Sequence, residues 1–307
     1  MKNEELQWFK IALQVKGSVI LAIYKRVVCC GIFGFLISLL YHFDLPVSQP
    51  IFGSVIPSIV LGLLLVFRTN TAYERFWEGR KLWGTLVNNV RNLARQIWVS
   101  IAEIEPEDRN NKISVLRLLV AFAVATKLHL RSAPVNSELE ELMSASHYFK
   151  LKTMNNPPLE VAFWIGDYLQ EQYNRRYLNT YQLTAMQDLL NSMVDCLGGC
   201  ERILKTPIPL AYAIHLKQLL LIYCLLLPFQ VVDDLGWWTG TLVALISFTL
   251  LGIEEIGIEI ENPFGYDPND LPLDAICNTM LRNIEDLITL TPSGKFYTDD
   301  AKNTNFD

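Results

Sequence analysis

The sequence has few of the side chains on which enzymes and metal sites usually depend. It contains four histidines in 307 residues, and none has a cysteine or carboxylate partner at the spacing of a metal site. It has no phosphate-binding glycine loop, no GxSxG turn and no HExxH helix. These absences predict that the protein is not an enzyme, and they favour structural roles for the histidines.

Cysteine usage and charge exclude further classes of protein. The six cysteines are scattered without metal-ligand spacing, so reduced buried thiols are favoured and no metal centre is predicted. The net charge of −6 argues against a nucleic-acid partner. The stretch before Arg26 is too polar for the apolar part of a signal peptide, so none is expected, and its spacing predicts an amphipathic helix.

Hydrophobic residues, by contrast, are abundant and clumped. They make up 51% of the chain, and the mean hydropathy is +0.23. Clumping of this kind is typical of membrane spans rather than of one large soluble core. A soluble all-helical protein with very apolar cores is the alternative. The predicted fold is an all-α integral membrane protein, treated as a single domain over 1–307, with transmembrane spans at about 27–43, 51–67, 210–232 and 235–253.

The basic residues predict the orientation of these spans. Lysines and arginines precede the first and third spans and follow the second, whereas the two short connections near Asp44 and Asp233 contain none. The positive-inside rule therefore places both termini on the cytosolic side. A helical region at about 70–204 and 254–290 is predicted on the same, cytosolic side, and a polar tail at 291–307 follows it.

The stretch from Ile51 to Trp98 organises the chain. It is apolar as far as Phe67, and it keeps helical spacing after turning polar, which predicts one long helix or two stacked helices. Ile59, Leu63 and Phe67, spaced by four, form one stripe. A membrane helix can be apolar on every face, so this stripe alone does not identify a pore. Four short spans cannot enclose a hydrated pathway, but a ring of subunits could, with apolar constrictions that gate by dewetting.

An acidic cluster follows the fourth span. Calcium prefers several carboxylate and carbonyl oxygens, and the turn Asn262-Pro263-Phe264-Gly265 lies within the cluster, although the spacing is not that of an EF-hand. The alternative is a solvated acidic surface whose glutamates pair with Arg75 or Arg80. The cluster consists of Glu254, Glu255, Glu259, Glu261, Asp267, Asp270 and Asp274.

Three stretches carry a resemblance to a known family. LVFRTNTAYERFWEGRKLWG, GCERILKTPIPLAY and IENPFGYDPNDLPLDAIC resemble the bestrophin family, and the first is similar to its bacterial and plant thylakoid branch. The resemblance covers nearly the whole chain. It implies a homopentameric, all-helical ion channel with one central pore, in a bacterial inner membrane or a plasma- or thylakoid-type membrane.

The resemblance also implies functional positions. A hydrophobic neck on the second span falls on Ile59, Leu63 and Phe67. A second, cytosolic aperture falls at about Tyr181 or Gln182, counted back from the GCERI-like motif. Animal members have a calcium clasp in a run of acidic residues, which here is interrupted by proline and asparagine. Asp267 and Asp270 match the clasp in position, and Glu259 and Asn262 are candidates for additional oxygen ligands.

Ion selectivity is left open by the sequence, because an apolar neck has no preference for either sign of charge. Animal and plant members conduct anions, and a bacterial relative can prefer cations. Similarity to the plant branch favours chloride and other monovalent anions. The expected partners are further copies of the chain, membrane lipid and permeant ions. The alternatives are a cation-selective channel, a non-conducting membrane scaffold and a membrane enzyme.

Overall fold

Helices are the regular elements of the described chain. The structure is a computed structural model that describes residues 8, 10–11, 13–49 and 55–292, and this part contains no strand, which confirms the all-α prediction. Ile51, where the second predicted span begins, and the tail from 293 lie outside the described residues. The helices are α1 Ile20–His42, α2 Val55–Ser100, α3 Asp108–Leu130, α4 Ser137–Glu140, α5 Ala145–Leu151, α6 Pro157–Asn174, α7 Thr180–Lys205, α8 Leu210–Leu235, α9 Thr239–Glu259 and α10 Leu273–Thr289.

The contacts divide the chain into two compact units. The first consists of Met1–Trp77 and Thr206–Asp270, and the second of Glu78–Lys205 and Leu271–Asp307. Helix α2 is continuous over 46 residues and contributes to both units, so the alternative of two stacked helices is wrong. The prediction of a single domain over 1–307 stays a prediction.

Small residues bring α1 and α9 together in the first unit. A Cβ added at Gly34 would lie 2.9 Å from Gly240 Cα, and one added at Gly31 would lie 3.2 Å from Ala244 Cβ. Ser38 Oγ donates a hydrogen bond of 2.8 Å to the carbonyl of Gly236. Close backbone approach through small residues is typical of membrane helices, which gain no hydrophobic driving force from burying leucine against leucine.

The connection between α8 and α9 corrects one predicted boundary. The fourth span was expected to begin at Leu235, but that residue ends α8, and a 3₁₀ turn at Gly236–Trp238 precedes α9. Gly236 has φ +50°, a left-handed conformation that ends the helix and that glycine adopts without strain. Helix α9 then continues to Glu259, six residues beyond the predicted end.

Apolar helices are not all alike in burial. Four apolar stretches of the described chain satisfy the length and composition of a span. The apolar windows in Ile20–His42, in Ile56–Ser100 and in Leu210–Glu259, which comprises α8 and α9, are each 22% buried. The fourth, Asp108–Leu130, is 78% buried, so α3 is a core helix of the second unit. The remaining set is α1, the first part of α2, α8 and α9, which agrees with the four predicted spans.

Helix α3 is the centre of the second unit and is surrounded by α6, α7 and α10. It begins at Asp108 and ends at Leu130. Two fully buried lysines interrupt its apolar surface. Lys112 Nζ donates to the carbonyl of Ile101 at 2.5 Å and to Glu103 Oε1 at 3.0 Å. These bonds provide the partners that a buried ammonium requires.

Candidate functional site

The stripe predicted on α2 faces away from the core of the first unit. Leu61 and Leu65 are 3% and 2% exposed and pack on α8, where they form one buried cluster with Leu216 and Leu220. Each step of two residues rotates the side chain by about 200° around the helix axis. Ile59, Leu63 and Phe67 lie two positions from Leu61 or Leu65, so they occupy the opposite face. Ile59, Leu63 and Phe67 are accordingly 63%, 55% and 55% exposed.

A hydrogen bond from a tyrosine side chain fixes the orientation of α2 about its own axis. Tyr212 of α8 donates from its hydroxyl to the carbonyl of Leu64 at 2.7 Å. The apolar face at Ile59, Leu63 and Phe67 is thus held outward on a single chain, where lipid, another subunit or a pore could meet it. Exposure agrees with the predicted neck but does not test it, because α1, α8 and α9 also expose large apolar side chains.

An ion pair anchors α2 directly after the stripe. Arg68 is 5% exposed, and its Nη2 lies 2.6 Å from Glu261 Oε2. The other carboxylate oxygen of Glu261 accepts a 2.9 Å bond from the backbone N–H of Ile208. Arg75 donates from Nε to the carbonyl of Glu261 at 3.1 Å and from Nη1 to the carbonyl of Thr206. Glu261 therefore joins α2, the turn before α8 and the segment after α9.

The acidic cluster separates into individual ion pairs. Glu255 Oε2 lies 2.7 Å from Arg26 Nη2, in addition to the pair between Glu261 and Arg68. In the second unit, Asp274 Oδ1 lies 2.7 Å from Lys127 Nζ. The hydrogen bond from Lys127, opposed by partial burial and reinforced by Arg131, lowers the pKa of Asp274. Chain packing thus brings Arg26, Arg68 and Lys127 to these three carboxylates, and Arg75, one of the expected partners, contacts Glu261 at its backbone carbonyl.

Three of the four residues of the predicted calcium clasp accept hydrogen bonds from protein donors. Asp270 Oδ2 accepts from the backbone N–H of Asp267 at 2.7 Å, and Glu259 Oε2 accepts from the Asn269 amide at 2.6 Å. Asn262 Oδ1 accepts from the backbone N–H of Phe264 at 3.3 Å. Among the described residues, no three His, Cys, Asp or Glu side chains converge as metal ligands. These three oxygens already accept protein N–H donors, and calcium binding at the clasp stays a prediction.

The two aperture candidates lie in the first turn of α7 and differ in environment. Gln182 forms a reciprocal capping box with Asn179. Its Oε1 accepts from the Asn179 N–H at 3.0 Å, and its N–H donates to Asn179 Oδ1 at 2.9 Å. Tyr181 is 88% exposed. Gln182 thus serves the helix end, and Tyr181 is the candidate whose side chain is free to line a pathway; the aperture itself stays a prediction.

A polar cluster in the second unit was missed by the sequence reasoning. His129 Nε2 lies 2.7 Å from Glu201 Oε1, which also accepts from Asn156 Nδ2 at 3.2 Å. Burial acts to raise the pKa of Glu201, but the bonds from His129 and Lys205 outweigh it and lower that pKa. His129 had been assigned no carboxylate partner, because 72 residues separate the pair in sequence. Only the GCERI-like motif, which contains Glu201, marked this region.

Comparison with known proteins identifies the family. A family model described as Bacterial/Fungal Bestrophin protein matches residues 1–286. The chain belongs to the bestrophin family. The resemblance noted in the three motifs is thereby confirmed, and the chain is an integral membrane protein whose relatives are named as anion channel-forming proteins.

Similar bestrophins cover almost the whole chain. A protein of Nostoc sp. strain PCC 7120, named a voltage-dependent anion channel-forming protein, is 75% identical over 93% of each chain. The protein YneE of Escherichia coli K12 bears the same description and is 33% identical over 89% of each chain. The crystal structure of a bestrophin homologue from Klebsiella pneumoniae has a TM-score of 0.80 and 29% identity, over 88% of this chain and all of that one.

Proposed function

We propose that this bestrophin forms a homopentameric channel that conducts anions, chloride among them, through a central pore lined by α2. The observation that supports it most is the orientation of α2, whose buried Leu61–Leu65 face leaves Ile59, Leu63 and Phe67 exposed on a single chain. Five copies around an axis would turn this stripe into three apolar rings. Relatives named as anion channel-forming proteins support the choice of ion.

The three rings would act as the neck. Apolar rings hold water poorly, so a narrow neck conducts only when it widens or wets. The Arg68–Glu261 pair, placed on the opposite side of the helix, would hold the register of α2 while its apolar face borders the pathway. Because Ile59, Leu63 and Phe67 have no charge, the neck itself would not decide which sign of ion passes.

Glu74 supports the second candidate, a channel selective for monovalent cations. Eleven residues separate Leu63 from Glu74, which at about 100° per residue returns Glu74 to within about 20° of the same face. Glu74 is exposed, so a ring of five such carboxylates beyond the neck would favour cations. The sign of selectivity therefore depends on charges beyond the neck, and Glu74 is the residue to test.

Recordings from planar bilayers in an asymmetric KCl gradient test conduction and sign together. We expect the wild-type reversal potential to lie toward the chloride equilibrium potential. Leu63→Ala and Phe67→Ala should raise the conductance several-fold, since each truncation widens a ring.

Leu245→Ala is the matched control, because Leu245 is equally apolar and 61% exposed but lies on α9. A reversal potential near that of potassium, moved by Glu74→Gln, would favour the cation channel, and absence of current even in the widened variants would favour a non-conducting scaffold.

The stoichiometry is tested separately. Mass photometry of the protein in detergent should give a particle of five times the 35.1 kDa chain mass, after correction for the micelle. A dimer or trimer would contradict the proposed pore geometry, whatever the currents.

We infer that these currents do not require calcium, since N–H donors occupy Asp270 and Glu259. A calcium titration of current should give a flat response in the wild type and in Asp267→Asn. Activation by calcium that Asp267→Asn abolishes would establish the clasp instead.

A further inference from the structure

A groove between α1 and α8 combines an apolar floor with a basic end. It has a volume of about 550 Å³ and is lined on α1 by Lys25, Cys29 and Phe33, and on α8 by Lys217, Leu221 and Leu225. Each trio is spaced by four residues, so each forms one continuous stripe along its helix. Eight residues of helix span about 12 Å, so both walls lead from a lysine into the apolar part of the membrane over the same length.

The basic end contains more positive charge than its own carboxylates neutralise. Arg26 Nη2 lies 2.7 Å from Glu255 Oε2 and its Nη1 lies 3.6 Å from Glu254 Oε2, so Arg26 is paired. Lys217 Nζ lies 3.9 Å from Glu254, at the limit of an ion pair, and its side chain is 60% exposed. Lys25 is also exposed, and its nearest described partner is the Tyr24 ring at 5.9 Å. Two ammonium groups thus remain accessible at one end of the groove.

The groove lies on a lateral surface of the membrane helices. Helix α8 packs on α2 through Leu216 and Leu220, whereas its Leu221 and Leu225 face the groove beside α1. Leu221 and Leu225 are 60% and 41% exposed, so their side chains are only partly covered by the chain itself. An occupant must therefore be apolar along most of its length and anionic at one end.

We propose that this groove is a binding site for an anionic diacyl phospholipid. Its phosphate contacts Lys25 and Lys217, and one acyl chain lies on Cys29, Phe33, Leu221 and Leu225. Basic pockets between membrane helices attract anionic headgroups, and lysines reach the interface by extending their stems along apolar surface. The bound lipid fills the space between α1 and α8 and joins two helices of the first unit. The site is independent of which ion the channel conducts.

Native mass spectrometry of the full-length assembly, released from nanodiscs of equal phosphatidylglycerol and phosphatidylcholine, tests this site. We expect the wild type to retain phosphatidylglycerol in preference to phosphatidylcholine by about thirtyfold, given the contribution of two lysines near a headgroup. The double variant Lys25→Gln/Lys217→Gln should abolish that preference, so that both lipids are retained equally. Lys81→Gln/Lys150→Gln removes the same charge from exposed positions outside the groove and should leave the preference unchanged.

A second variant distinguishes the contribution of the apolar groove to lipid retention from that of the two lysine charges. Leu221→Trp fills the apolar part and should lower the retention of both lipids several-fold, with both lysines intact. Equal retention of the two lipids by the wild type would indicate annular lipid only and overturn the proposal. So would retention of neither lipid, as expected if a second copy of the chain covers the groove, or an equal loss of preference in the control double variant. The mass of the intact assembly, read in the same spectra, reports whether each variant has folded.

Discussion

Helices α1 and α3 are both 23 residues long and both apolar enough to span a membrane, yet they occupy opposite environments. Helix α1 buries five residues, two glycines and a serine together with Ile23 and Ile37, and it exposes Ile32, Phe35 and Leu36. Helix α3 buries its large apolar side chains together with Lys112 and Lys127. Apolar content therefore does not separate a span from a core helix. The informative features are the buried share of the helix, 22% for α1 and 78% for α3, and the presence of buried, paired lysines in α3.

The largest effect should come from removing a buried charge in the second unit. Lys112→Ala leaves the carbonyl of Ile101 without its donor and Glu103 without its ammonium. Breaking a buried, hydrogen-bonded pair of this kind costs about 3–5 kcal/mol. Chemical denaturation in detergent should show that loss, whereas Lys150→Ala, at an exposed lysine, should change little. An unchanged midpoint for Lys112→Ala would mean that α3 is not the closed core helix described above.

A charge placed on the outer face of α1 gives the converse test. Ile32 is 63% exposed, and Arg at the centre of a membrane helix costs about 2.5–3.5 kcal/mol on insertion scales. Ile32→Arg should therefore lower membrane insertion in a translocation assay. Asn191→Arg, on the exposed surface of α7, is the control and should insert and fold as the wild type does. Equal insertion of the two variants would place α1 outside the hydrocarbon.

Crowding at the α1–α9 contact should give a smaller loss. A Cβ at Gly34 would lie 2.9 Å from Gly240 Cα, which is backbone and cannot move aside alone. Gly34→Ala should thus cost about 1–3 kcal/mol, the usual range for overpacking. Gly198→Ala, where no atom lies within 4 Å of the added Cβ, should be neutral or slightly stabilising. Thermal melts of the two variants compare the sites directly, and equal melting temperatures would remove the close-packing interpretation.

The smallest effect should be the acid dependence contributed by Asp274. Its pKa is lowered in the folded protein by Lys127, so its contribution to stability is present above the unfolded pKa and is lost as pH falls through the folded one. The side chain is 60% exposed, so solvent screening limits the contribution to under about 1 kcal/mol. Asp274→Asn should lower the melting temperature slightly at pH 7, and the difference from the wild type should begin to close below about pH 4 and disappear below the lowered folded pKa. A difference that persists in acid would assign the effect to packing instead.

Much of the fold could be predicted because hydrophobic periodicity is local. The four spans, the long α2 helix and the stripe at Ile59, Leu63 and Phe67 all follow from residues a few positions apart. Boundaries were less accurate, since Gly236 ends α8 through a backbone conformation that composition does not specify. The polar partners were not predictable: 193 residues separate Arg68 from Glu261, and 147 separate Lys127 from Asp274. Such pairs depend on tertiary packing, which a single sequence does not display.

The Glu261 carboxylate has a consequence for biosynthesis. Arg68 emerges from the ribosome 193 residues before Glu261, and the Ile208 N–H emerges 53 residues before it. Until Glu261 is synthesised, the guanidinium at the end of the second span lacks the carboxylate that it contacts in the folded chain. The first unit therefore cannot reach its folded structure while only its N-terminal part, residues 1–77, has been synthesised. Its folding must wait until translation is nearly finished.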